Sequence, residues 1–160
     1  MSKRLIQLAR GHVLAAIAVS LLAPLALRAQ TDAPSPAGLW HTIDDNTKKP
    51  RAEIRITVSD GVLTGSVVKS LVPGEVGDKL CDKCPGARHN QPMIGMAILT
   101  GLHRDRENPL LWTDGEVLDP DHGKTYKARI ELAKDGRTLK LRGFIGVPML
   151  GRTQVWSRAD

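Results

Sequence analysis

The sequence predicts an all-β fold, an eight-stranded up-and-down antiparallel β-barrel. From residue 38 onward, apolar and polar residues alternate with a period of two, the pattern of strands that bury one face. Two of these stretches contain a central Asp-Gly pair, which favours a type I′ hairpin turn. A meander of eight strands can close on itself and so remove its exposed edges. A β-sandwich is the alternative.

The first hairpin is "RAEIRITVSDGVLTGSVVKS", with its turn at Asp60-Gly61. If these two residues form the loop, apolar positions of one strand face apolar or glycine positions of the other. The predicted pairs are Ser59–Val62, Val58–Leu63, Ile56–Gly65 and Ile54–Val67.

The second hairpin is "GKTYKARIELAKDGRTLKLRGFIG", with its turn at Asp135-Gly136. On its outer face Glu131 lies opposite Lys140, a favourable pair, whereas Arg129 and Arg142 bring like charges together. The predicted inward pairs are Leu132–Leu139, Ile130–Leu141, Ala128–Gly143 and Tyr126–Ile145.

Four further strands are predicted at 38–43, 93–103, 109–118 and 151–158. Asp114-Gly115 interrupts one of them and indicates a β-bulge, with a tight hairpin as the alternative. Asp119 to Gly123, "DPDHG", predicts a turn in which Gly123 takes a positive φ. Residues 70–92 form the one long irregular stretch.

The amino-terminal 29 residues predict a secretory signal peptide. Lys3, Arg4 and Arg10 precede an apolar run from Val13 to Leu27, and cleavage is expected after Ala29. Residues 30–37 predict a flexible linker, and 38–160 a single barrel domain. The protein is therefore expected in the periplasm or outside the cell, with no transmembrane segment after cleavage.

The charge of the chain gives little support to nucleic-acid binding. The whole chain carries +6, but four of its 23 basic residues and none of its 17 acidic residues lie in residues 1–29. The remainder carries 19 basic against 17 acidic residues, or +2, so no nucleic-acid partner is expected.

The two ends of the predicted domain favour a lipocalin-like closure. Gly38-Leu39-Trp40 opens the first strand, and the last strand ends with Trp156-Ser157-Arg158. In lipocalin-like barrels a basic side chain from the last strand stacks on the tryptophan of the first. Arg158 or Arg152 could cover Trp40 in this way.

Four segments resemble the family of exported bacterial proteins known as domain of unknown function 2147. They are "GLWHTIDDNTKKPRAEIRI", "CDKCPGARHNQPMIGMAIL", "GEVLDPDHGKTYKARIEL" and "LKLRGFIGVPMLGRTQVWSR". The resemblance implies an exported lipocalin-like barrel and supplies no reaction. Arg88 and His89 stand where the family often has a lysine before Gln-Pro. The matching positions are Cys81, Cys84, Pro85, Gly86, Gln91, Pro92, Gly95, Met96 and Gly151 to Trp156.

Cys81 and Cys84 admit three interpretations. A disulfide that closes a small loop suits an exported protein. A redox pair would need a helix after the motif, which Pro85-Gly86 disfavours. A zinc site would need two more ligands, and His89 with His103 fits no familiar spacing.

The sequence contains no Gly-x-Ser-x-Gly, His-Glu-x-x-His or phosphate-loop motif, and no catalytic, metal or cofactor site is predicted. Asp44 and Asp45 begin "DDNTKKPR", which predicts a solvated turn rather than a calcium loop or an acid–base pair. Asp121 and His122 lie in the "DPDHG" turn, where a turn is again favoured over a metal site.

Three functions remain open for the barrel. The first is binding of a small hydrophobic or amphipathic ligand by an interior lining. The second is an envelope interaction module that uses the cysteine loop and a basic face of Lys127, Arg129, Lys140 and Arg142 against an anionic surface. The third is thiol redox chemistry. The predicted lining comprises Trp40, Ile54, Ile56, Ile94, Met96, Ile98, Tyr126, Ile130 and Leu141.

Overall fold

The computed structural model describes residues 33–75 and 79–159, and these form a closed antiparallel barrel. Each strand pairs with its neighbours in the chain, and the first pairs with the last, which confirms the predicted up-and-down barrel. The strands are β1 Gly38–Ile43, β2 Pro50–Ser59, β3 Val62–Ser70, β4 Ala97–Arg104, β5 Leu111–Asp119, β6 Lys124–Leu132, β7 Thr138–Phe144 and β8 Gly151–Arg158.

Both Asp-Gly hairpins have the predicted register over most of their length. All four predicted pairs join β2 to β3. Between β6 and β7 the predicted pairs are present as far as Ala128–Gly143, but pairing ends at Lys127–Phe144. The expected Tyr126–Ile145 pair is therefore wrong. Gly146 has φ +69 and turns the chain, so Ile145 leaves the sheet and is exposed.

The irregular positions of the sheet also follow from local sequence. The register of β5 shifts between Trp112 and Gly115, and Asp114 has φ +65, as expected for a bulge. Gly123 has φ +65 in the turn before β6. β4 begins at Ala97, so residues 93–96 belong to the long β3–β4 connection, which contains a 3₁₀ turn at Gly86–Arg88.

The up-and-down order places alternate connections at opposite ends of the barrel. The short turns at 60–61, 105–110 and 133–137 share one end, here called the closed end, with the start of β1. The connections at 44–49, 71–96, 120–123 and 145–150 share the other end, here called the mouth. In residues 33–75 and 79–159 no helix has the length and hydrophobicity that crossing a bilayer requires.

The closed end is sealed by the first and last strands. The guanidinium carbon of Arg158 lies 4.4 Å from the ring centroid of Trp40, whose indole N–H donates to the carbonyl of Pro36 at 2.8 Å. Arg158 also donates to the carbonyls of Gly136, Ala37 and Ser35. Arg158, and not Arg152, therefore covers the tryptophan.

The part of the predicted linker that the structure describes is bound to this seal. Pro36 is fully buried, and Ser35 and Ala37 supply carbonyl oxygens to Arg158. Ser35 and Ala37 thus place backbone carbonyls against the Arg158 guanidinium, and the flexibility of residues 30–37 stays a prediction. The predicted signal peptide and residues 30–32 lie outside the described residues.

Candidate functional site

The interior of the barrel is filled at the closed end and hollow at the mouth. Buried side chains pack the closed half tightly. A cavity of about 560 Å³ occupies the half beneath the mouth loops. The closed half contains Trp40, Ile56, Leu63, Leu99, Leu102, Trp112, Ile130, Leu132 and Leu139.

The predicted lining residues divide between these two halves. Ile54, Tyr126 and Leu141 line the cavity, as do Ile94 and Ile98. Trp40, Ile56 and Ile130 do not line it and belong to the packed half, and Met96 packs partly buried against the core. The alternation of each strand shows which residues face inward, but it does not show at which depth the interior stops being filled.

Further lining residues were missed by the sequence analysis. Val117 of β5 faces Tyr126 across the sheet, and Phe144 lies at the mouth end of β7. Val117 could have been found, because it lies two residues from the bulge at Gly115 on the inward face. Gln154 and Trp156 add a polar pair, in which the indole N–H donates to the amide oxygen at 3.2 Å.

A ring of charged residues surrounds the apolar cavity at the mouth. Arg51 Nη2 lies 2.5 Å from Asp121 Oδ2, and Lys79 Nζ lies 3.5 Å from the other oxygen of Asp121. Arg152 donates through Nε to Asp45 Oδ2 at 2.7 Å. These pairs are partly exposed and contribute about 0–1 kcal/mol each, so a charged head group could compete for them at little cost.

Asp44 adds a fixed negative charge to this rim. Its Oδ1 accepts the backbone N–H groups of Thr47 at 2.7 Å and Asn46 at 3.0 Å. These bonds, above all the one from Thr47, hold the pKa of the Asp44 carboxyl below its ordinary value of 3.8. Any stabilisation from this turn is present at neutral pH and is lost as the pH falls through that lowered pKa.

Cys81 and Cys84 form a disulfide beside the rim. Their Cα atoms are 5.3 Å apart, and the two residues are 1% and 2% exposed. The loop they close rests on the "DPDHG" turn, where Lys83 Nζ donates to the carbonyl of Asp121 at 2.9 Å. The disulfide therefore shapes a segment that packs against this turn, whose residues Pro120, Asp121 and His122 line the cavity.

Two histidines that were weighed as metal ligands have other partners. His89 Nδ1 lies 3.2 Å from the carbonyl oxygen of Cys84, and His122 pairs with Asp119. No group of three or more potential metal ligands comes together in the part of the chain that the structure describes.

The comparisons with known proteins agree with this architecture. The sequence matches the family described as "Uncharacterized protein conserved in bacteria (DUF2147)" over residues 38–158. No curated protein matches the chain. A similar solved structure is that of protein HP1028 from Helicobacter pylori, which is described as belonging to the lipocalin family. The two share 17% identity with a TM-score of 0.68, over 79% of this chain and 84% of that one, so the similarity concerns the fold.

Proposed function

The chain belongs to the DUF2147 family of uncharacterized bacterial proteins, and we propose that it binds a small apolar or amphipathic molecule in the mouth half of its barrel. The observation that carries this proposal is the cavity of about 560 Å³. Ligand pockets typically enclose about 300–1,000 Å³ and combine apolar walls with a few polar groups. The interior of an eight-stranded barrel is wide enough to hold one small ligand where side chains do not fill it, as in lipocalins.

The lining favours an amphipathic ligand over a purely polar one. Ile54, Val67 and Leu141 present aliphatic carbon to the interior, whereas the charges gather at the rim. The Tyr126 hydroxyl has no hydrogen-bond partner among the described residues and is available to a ligand. An aliphatic or aromatic body would lie inside, with its polar group among Arg51, Asp121 and their neighbours.

Filling the cavity is expected to abolish binding. The Val117→Trp variant places an indole in the hollow half, where Val117 is only partly buried, so the fold can accommodate it. Titration with the fluorescent probe N-phenyl-1-naphthylamine should show affinity reduced at least ~10-fold, equivalent to about 1.4 kcal/mol. Val155→Trp is the matched control, because Val155 is half exposed and does not line the cavity. Equal affinity of wild type and Val117→Trp would contradict the proposal.

Redox catalysis is the weaker candidate for this chain. A thiolate must reach the sulfur atom that it attacks, and both cysteines are almost fully buried. Cys81 and Cys84 also lie in a loop that is anchored to the neighbouring turn. These observations support a structural role of the disulfide.

We expect the protein to work in the cell envelope, because residues 1–29 have the pattern of an export signal. Protein recovered from a bacterial periplasm without reductant should begin at Gln30 and have a mass two hydrogens below that of the reduced chain. Intact mass spectrometry before and after reduction measures both. An uncleaved chain found in the cytoplasm, or free thiols in the native protein, would contradict this expectation.

A further inference from the structure

The β7–β8 loop at the mouth exposes a run of apolar side chains. Ile145 is 69% exposed, Val147 54%, Met149 87% and Leu150 73%. Contiguous apolar exposure of this kind marks a contact surface rather than a chance feature of a soluble protein. Residues 145–150 are here called the apolar loop.

Hydrogen bonds hold the apolar loop in a defined shape. Arg142 donates through Nε to the carbonyl of Pro148 at 2.5 Å and through Nη2 to that of Met149 at 3.2 Å. Within the loop, the N–H of Leu150 donates to the carbonyl of Val147 at 3.0 Å. The hydrogen bonds therefore fix the backbone of the apolar loop, and its apolar side chains are exposed to solvent.

The strands that carry the apolar loop are positively charged. Residues 138–158 include Lys140, Arg142, Arg152 and Arg158 but no aspartate or glutamate, although Arg158 lies at the closed end and Arg152 pairs with Asp45. On the adjacent strand, Lys127 pairs with Phe144 and Arg129 with Arg142, which extends the positive surface next to the loop.

Two carboxylates border this basic face without cancelling it. Glu116 lies opposite Lys127, and Glu131 lies opposite Lys140. Glu131 belongs to the pair farthest from the apolar loop, so the face keeps a net positive charge close to the loop.

From this arrangement we infer that the apolar loop enters the surface of an anionic lipid bilayer, with Lys127 and Arg129 facing the head groups. Apolar side chains flanked by cations match a membrane interface, where hydrocarbon lies directly beneath negative charge. A second copy of the chain is a poorer occupant, because two such faces would bring their cations together. The inference goes beyond ligand binding and does not depend on it.

Ile145 and Leu150 also line the cavity, so the membrane-bound orientation would direct the mouth toward the lipid. Val147 and Met149 do not line the cavity. Substitution of these two residues can therefore separate membrane binding from ligand binding.

The test is flotation of the chain from Asp32 onward, which contains all eight strands and forms one compact unit. The vesicles are phosphatidylglycerol mixed with phosphatidylcholine, or phosphatidylcholine alone. Wild type should bind the anionic vesicles more tightly, and binding should weaken with salt. Val147→Ser/Met149→Ser should bind about tenfold or more weakly, because each side chain loses its transfer to hydrocarbon. Lys127→Gln and Arg129→Gln should each weaken binding about fivefold.

The control variant is Val58→Ser, which removes a partly exposed valine near the closed end and should bind like wild type. Equal binding by wild type and Val147→Ser/Met149→Ser would overturn the inference, as would failure of wild type to bind anionic vesicles. Sedimentation without lipid supplies a further check. A wild-type dimer that Val147→Ser/Met149→Ser dissociates would assign the apolar loop to contact between copies and would also overturn it.

Discussion

Trp40→Ala is expected to destabilise the barrel by about 3–5 kcal/mol, a large part of the roughly 5–15 kcal/mol that holds a typical domain folded. Trp40 is fully buried, donates a hydrogen bond to Pro36 and lies beneath the Arg158 guanidinium. Its removal leaves a cavity where β1 meets β8, the pair of strands that closes the sheet. Urea unfolding followed by circular dichroism measures the change.

Two arginine variants separate the contribution of the Arg158 hydrogen bonds from that of stacking on a tryptophan. Arg158→Met removes both the contact with Trp40 and hydrogen bonds to three backbone carbonyls. Arg104→Met is the matched control, because Arg104 also covers a tryptophan, at 5.3 Å from Trp112, but is exposed. Arg158→Met should cost about 1–3 kcal/mol, mainly because the carbonyl of buried Gly136 loses its partner, and Arg104→Met below about 1 kcal/mol. Equal losses would mean that the carbonyl bonds add nothing to closure.

Gly123→Ala is expected to detach the disulfide loop from the turn before β6. A Cβ at this position would collide with the backbone carbonyl of Lys83 and lie 3.0 Å from the amide nitrogen of Cys84. Positive φ costs a non-glycine residue about 1–2 kcal/mol, and the collision adds about 1–3 kcal/mol. Limited proteolysis should show faster cleavage within residues 80–92, and urea unfolding should show the lost stability.

Gly61→Ala measures the cost of positive φ without the cost of a collision. Gly61 has φ +77, but no atom lies within 4 Å of the Cβ that alanine would add. It should therefore cost only the conformational part, about 1–2 kcal/mol, and leave cleavage within residues 80–92 unchanged. A Gly123→Ala protein that behaves like Gly61→Ala would show that the disulfide loop is not held by this contact.

The fold was predictable because its signals are local. Asp60-Gly61 and Asp135-Gly136 set two hairpins, and period-two alternation then decided which side chains point inward. Closure of the sheet requires the first strand to pair with the last. Trp40 in the first strand and an arginine in the last strand indicated this pairing. Whether Arg152 or Arg158 met Trp40 depended on the register of β8, which no local signal fixes.

The candidate site was only partly predictable. Inward direction is a property of one strand, whereas a void depends on the volumes of side chains from all eight strands at one depth. Ile54 and Ile56 illustrate this, because both face inward but only Ile54 reaches the cavity. Ile145, the first residue of the apolar loop, was mistaken for part of β7 because it continues the alternation of that strand, and only Gly146 signals the turn.

The two ends of the described barrel segment lie together, at the opposite end from the mouth. Ala37 accepts a hydrogen bond from Arg158, and the N–H of Ala159 donates to the carbonyl of Leu39. A tether or fusion partner attached at either end would therefore leave the opening unobstructed. Because of the same separation, substitutions in the mouth loops should leave undisturbed the contacts that join the first strand to the last.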